Sequence, residues 1–94
     1  MKPMPINEYV LTPHAEKEMS RRGLGEDLIR AVLGAPEQWE TVREGRVVLQ
    51  RRIHIGEPAM MYLVRVFVDI DRQPPMVVTA YRTGKLEKYW KEEP

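Results

Sequence analysis

The sequence predicts an α+β fold: a short opening strand, two helices, then an antiparallel sheet of about four strands carrying both helices on one face. Three observations lead there. Apolar residues recur at helical spacing between Thr12 and Pro36, whereas from Trp39 onward the period is two. Turn residues divide that second half at Glu44-Gly45, at Gly56-Glu57-Pro58 and over Asp71 to Pro75. Helices and strands segregated along a chain make a layered α+β domain and not an alternating parallel one. At 94 residues the chain has the length of one domain, spanning 1–94.

Each element has its own signal. Tyr9, Val10 and Leu11 form a short apolar run suited to an edge strand or an extended arm. Thr12-Pro13 starts the first helix, since threonine caps well and proline at the first helical position lacks only an N–H that would be orphaned anyway. Ala15, Met19 and Leu24 are expected inside; His14, Lys17, Glu18 and Arg21 share the opposite stripe, and Glu18 can pair with Arg22. Gly23 reads as the C-terminal cap. The second helix opens on Glu26 and Asp27, turns Leu28, Ile29, Val32 and Leu33 inward, and ends at Gly34 and Pro36. Glu40 to Arg43 and Arg46 to His54 then form a hairpin. Met60 to Ile70 is the longest strand. Its even positions are all apolar and should face the helices, while Arg65 emerges on the odd face between Leu63 and Phe67.

Composition bounds the function. Hydrophobic residues make up 43% and charged residues 31%, the balance of a globular chain. A formal net charge of +1 and a pI near 8.1 mean that any nucleic-acid site is a local patch and not a global field. Without cysteine there are no disulfides, thiolate metal sites or cysteine nucleophiles, which fits a reducing cytoplasmic setting. No apolar run has membrane-spanning length, and residues 1–9 do not form a secretion signal. No repeat or low-complexity tract appears.

The stretch with most chemistry is Met76 to Trp90. Period two sets Val77, Thr79, Tyr81 and Thr83 on one face, with Met76, Val78, Ala80 and Arg82 on the other. Gly84 ends the strand, and Lys85, Lys88, Tyr89 and Trp90 follow at roughly helical spacing. Hydroxyls, ammonium groups and rings in so short a length suit a phosphate backbone with unstacked bases. An ordinary last strand with a solvated lysine tail has the same composition.

Two motifs carry a resemblance. Thr12-Pro13-His14-Ala15 with Met19 and Arg22-Gly23-Leu24, followed by Thr79-Ala80-Tyr81-Arg82-Thr83 with Lys85 and Lys88-Tyr89, resembles the bacterial family catalogued as domain of unknown function 4258; Pro36 and Arg65 fall in step. The resemblance implies a fold like that of the RelE toxins and, more distantly, of barnase, EndoU and the colicin ribonucleases. It implies metal-independent endoribonuclease activity, with an antitoxin protein as partner, RNA as substrate and no cofactor. On that reading His14 takes the proton of a ribose 2′-hydroxyl, the positive end of the helix dipole favouring a neutral imidazole. Arg65 and Lys85 hold the phosphate and stabilise the phosphorane. Tyr81 positions the scissile nucleotide or protonates the leaving oxygen, and Thr79, Thr83, Lys88 and Tyr89 bind RNA. Each has a plainer role as well: His14 as a surface or capping residue, Arg65 paired with Glu18 or Asp69, Tyr81 and Tyr89 packed at a sheet edge. Arg51, Arg52 and Arg82 would widen the patch; His54 has no evident partner, and two histidines at this spacing make no metal site. A non-catalytic module holding RNA or a protein is the alternative function.

Overall fold

The computed structural model of the chain describes residues 3–92. Its elements are β1 (Val10–Leu11), α1 (Pro13–Arg22), α2 (Glu26–Gly34), β2 (Gln38–Arg43), β3 (Arg46–Ile55), β4 (Met60–Asp69), β5 (Met76–Thr83) and α3 (Leu86–Tyr89). The strands form one sheet in the order β1-β5-β4-β3-β2, with the long strand β4 in the middle. The fold is α+β, as the segregated periodicities require.

Local chemistry accounts for the helices. The Thr12 hydroxyl accepts the Ala15 N–H at 3.0 Å, Pro13 opens α1, and Gly23 closes it at φ 68°, with the Leu24 N–H donating to the Met19 carbonyl at 2.8 Å. Only two residues separate that cap from the start of α2, so both helices lie on the same side of the sheet. Ala15, Met19 and Leu24 with Ile29, Val32 and Leu33 pack there against Val47 and Leu49 of β3, Val64, Val66 and Val68 of β4, and Val77 and Ala80 of β5. Val64, Val66 and Val68 on the even face of β4 are fully buried, whereas Met60 at the start of the strand and Ile70 just past its end, both expected inside, are exposed because the helices cover only the middle of the sheet.

Three boundaries differ from expectation. The sheet has five strands and is mixed, because β1 pairs in parallel with β5, Val10 opposite Met76 and Leu11 opposite Val77. The hairpin arm β2 begins at Gln38, ahead of the expected Glu40, because the Gln38 side chain is drawn into the sheet's polar interior. The third difference is a bulge in β5: Phe67 pairs with Thr79 and Val68 with Val77, leaving Val78 as the extra residue. Strict alternation put Val77 with Thr79, Tyr81 and Thr83. The bulge instead sends Val77 into the helix-side core beside Ala80 and leaves the two hydroxyls and the phenol on the opposite face.

That opposite face is partly covered. Beyond Gly84 the chain crosses it as a strap, one turn of helix followed by Trp90 and Lys91. Leu63, Val48 and Gln50 are thereby buried on the side away from α1 and α2.

Replacing Val64 by Ala removes two methyl groups from the helix-side core and should cost about 1 to 3 kcal/mol in a denaturant melt. A midpoint equal to the parent's would show that this face of β4 is not the packed one.

Candidate functional site

The strap-side face is organised in cross-strand rows. One runs Gln38, Gln50, Arg65, Tyr81 across β2, β3, β4 and β5; the next runs Glu40, Val48, Phe67, Thr79. The side chains of the first row are joined end to end. Arg65 Nε donates to Gln50 Oε1 at 2.9 Å and its Nη1 to the Tyr81 oxygen at 2.6 Å. Gln50 Nε2 donates to Gln38 Oε1 at 2.8 Å and to the Tyr89 carbonyl at 3.2 Å. Gln38 then clamps the strap, donating to the Lys91 carbonyl at 2.6 Å and accepting the Lys91 N–H at 3.1 Å.

Arg65 is 7% exposed, so its charge is nearly withdrawn from water. Its guanidinium carbon lies 4.4 Å from the centre of the Tyr89 ring, 5.5 Å from Phe67 and 5.7 Å from Tyr81, a cage of three aromatic faces. The nearest carboxylate is Glu40, 3.6 Å from Nη2, and Glu40 also binds Lys91 at 2.8 Å. Neither Glu18 nor Asp69, the partners expected from the sequence, pairs with it: Glu18 holds Arg21 and Arg22, and Asp69 holds Arg46 at 2.6 Å. A guanidinium so enclosed stabilises the sheet and the strap, and it is poorly placed to grip a phosphate.

The sequence-predicted residues fall into four places. Arg65, Tyr81, Tyr89 and Lys88 converge, with the Lys88 ammonium 5.3 Å from the Tyr89 ring. Thr83 and Lys85 form a local turn, the Lys85 N–H donating to the Thr83 hydroxyl at 3.1 Å. His14 is exposed in the first turn of α1, on the helix layer, whereas Tyr81 points to the other side of the sheet. No hydrogen bond among the described residues links His14 to Arg65, Tyr81 or Lys85. Thr79 instead meets α1 from around the edge of β5, with Arg22 Nη1 at 3.4 Å from its hydroxyl and 2.8 Å from the Ala80 carbonyl. Arg51 and Arg82 sit on the helix side, Arg51 on the Ala35 carbonyl and Arg82 over Tyr62. Arg52 pairs with Glu37 and stacks 3.9 Å from the centre of Trp90, so these three arginines do not make one patch.

Phe67 is the residue that sequence reading passed over. Its ring stacks with Tyr81, centroids 6.0 Å apart at 29°, and Tyr89 stands edge-on to Tyr81 at 6.2 Å. Its one signal was position, two residues from Arg65 on the same strand face. Phe67 and Tyr81 are half-buried on the strap-side face of the sheet, and half-buried Tyr89 meets them from the strap itself. At the far end of that face lies the Arg46–Asp69 pair, in which Arg46 holds the carboxyl below its ordinary value. The two phenols are pushed apart. Burial raises Tyr81, with Arg65 opposing, whereas interaction with the Tyr81 phenol, followed by Lys88 and Arg65, lowers Tyr89.

Among the described residues no helix is long and apolar enough to cross a membrane. Comparison of the chain with family models, curated proteins and solved structures finds no match.

Replacing Arg65 by Ala leaves Gln50 and Tyr81 without their donor and should cost at least the ~1 to 3 kcal/mol of an unsatisfied buried group, read as a lower thermal midpoint. A melt unchanged by this substitution would argue for a solvated surface arginine. Asp69, lowered by Arg46, contributes stability that is fully present above its ordinary value of 3.8 and is lost as pH falls through its lower folded value. Between about pH 5 and pH 2 the parent's midpoint should therefore fall more steeply than that of Asp69→Asn; parallel curves would show the ion pair to be inert.

Proposed function

We propose that this domain binds single-stranded RNA on the half of the sheet face that the strap leaves open. The observation carrying this reading is the half-buried group of rings, Phe67 and Tyr81 on the sheet and Tyr89 on the strap, gathered around Arg65 and flanked by Lys88 and the Thr79 hydroxyl. Unstacked bases lie on such rings regardless of sequence, and nearby ammonium and hydroxyl groups meet the phosphates. The motif resemblance to a RelE-like family points to RNA as well. Binding without cleavage is preferred because His14 and Arg65, two of the groups expected to do the chemistry, do not share a site with one another.

Cleavage is the second reading, favoured by the convergence of two phenols, ring centroids 6.2 Å apart, beside the Arg65 guanidinium and the Lys88 ammonium. Tyr89 would take the proton of the 2′-hydroxyl as that oxygen bonds to phosphorus. The bond from phosphorus to the 5′-oxygen breaks, Tyr81 protonates that oxygen, and a 2′,3′-cyclic phosphate remains.

Fluorescence anisotropy with a labelled oligouridylate tests the first reading. Phe67→Ala should raise Kd by the ~1 to 3 kcal/mol of a lost stacking contact, roughly 5- to 150-fold, while Phe67→Tyr retains affinity. An oligonucleotide that does not bind the parent chain would overturn it and leave a protein partner, such as an antitoxin, as the reading to pursue. Incubating the same RNA with chelator tests the second: cyclic-phosphate product that Tyr89→Phe reduces about 10²- to 10⁴-fold supports cleavage, and intact RNA rejects it.

A further inference from the structure

The ion pairs of this chain are distributed unevenly. Arg30, Arg46, Arg52 and Arg72 each have one carboxylate, on Glu26, Asp69, Glu37 and Asp71 respectively. On α1 Arg21 and Arg22 share the single carboxylate of Glu18, at 2.6 and 2.8 Å, as Arg65 and Lys91 share that of Glu40 under the strap. Lys17 lies one helical turn before Arg21 on the exposed side of α1 and has no ion pair among the described residues. Residues 17–22 of α1 therefore carry three cations against one acid, and Arg22 at their end reaches β5.

That segment borders an open sheet edge. Pairing with β1 stops at Val77, and the rest of β5 has β4 on one side and no strand on the other among the described residues. Arg22 reaches around this edge. One guanidinium nitrogen contacts the Ala80 carbonyl and the Thr79 hydroxyl on the far face, while the other holds Glu18. Its side chain keeps 33% of its surface exposed. Thr79 sits directly opposite Phe67 in the row that floors the ring platform. Alternation from Tyr81 sets Thr79 on the ring side, and the bulge at Val78 follows directly beyond it on the same strand.

We infer that a bound RNA strand leaves the ring platform across the edge of β5, its phosphodiester backbone passing Thr79 and Arg22 and continuing along Lys17 and Arg21 of α1. This rests on the reading that the rings take bases. The track supplies the phosphate contacts that buried Arg65 cannot, and it accounts for a cationic stripe beside an unpaired strand.

Arg22 also braces the edge, so the decisive variants are its exposed neighbours. The double variant Lys17→Gln, Arg21→Gln is compared with the parent by anisotropy of the labelled oligouridylate over a range of salt. Two lost phosphate contacts on a single strand should reduce the slope of log affinity against log salt by about 1.4, and Lys17→Gln alone by about 0.7. Arg43→Gln, on the opposite edge strand, should leave the slope at the parent value. A parent-like slope in the double variant, with binding still sensitive to Phe67→Ala, overturns the track and keeps the platform. Failure of the parent chain to bind RNA removes both. A slope reduced in the double variant at an unchanged thermal midpoint supports the track.

Discussion

A permanent cation near the middle of the sheet sets the constraint that most of this structure obeys. Arginine donates and never accepts, so Arg65 imposes a direction on everything bonded to it. Gln50 must turn its carbonyl oxygen toward the guanidinium, which leaves its amide nitrogen for Gln38 and the Tyr89 carbonyl. Gln38 in turn receives on oxygen and has its own nitrogen left for the strap. The polarity of one side chain on β4 thus travels across β3 to the far edge of the sheet. The aromatic rings complete the arrangement by offering their faces to charge that water no longer solvates. None of the buried side-chain polar atoms among the described residues lacks a partner, as a network of this kind requires if it is to stabilise.

The two sides of the sheet differ in what each can do. The helix side is apolar, closed and packed. The strap side holds a polar row largely under cover, with half-buried rings from β4, β5 and the strap around its arginine. That division keeps the buried cation and its hydrogen-bond partners apart from the apolar core.

Much of the architecture was legible because it depends on local chemistry. Thr12-Pro13 and Gly23 bracket α1 by capping rules that need no tertiary information, and the even face of β4 is apolar at every position. The site was less legible, for a physical reason: strand register is not written in any single strand. Nothing in Val47 to His54 says that Gln50 lies opposite Arg65, and nothing before Trp39 marks Gln38 as part of the sheet. The bulge at Val78 falls within a run of residues that all favour strands, so alternation gave the wrong company for Val77. Tyr81 was identified from its unusual hydroxyl-rich neighbourhood and does meet Arg65. His14 was joined to that group by motif and not by geometry, and the sheet stands between them.

The strap is attached in a way that has consequences for its chemistry. Gln38 and Gln50 grip it by peptide groups, the carbonyls of Tyr89 and Lys91 and the Lys91 N–H, which every residue type but proline can offer. Lys88 and Glu87 take no part in that grip and face solvent. Substitutions there can accumulate without loosening the attachment, so the sheet acts as a fixed socket that is indifferent to much of what it displays. Charge at these two positions can therefore change while the framework beneath stays the same.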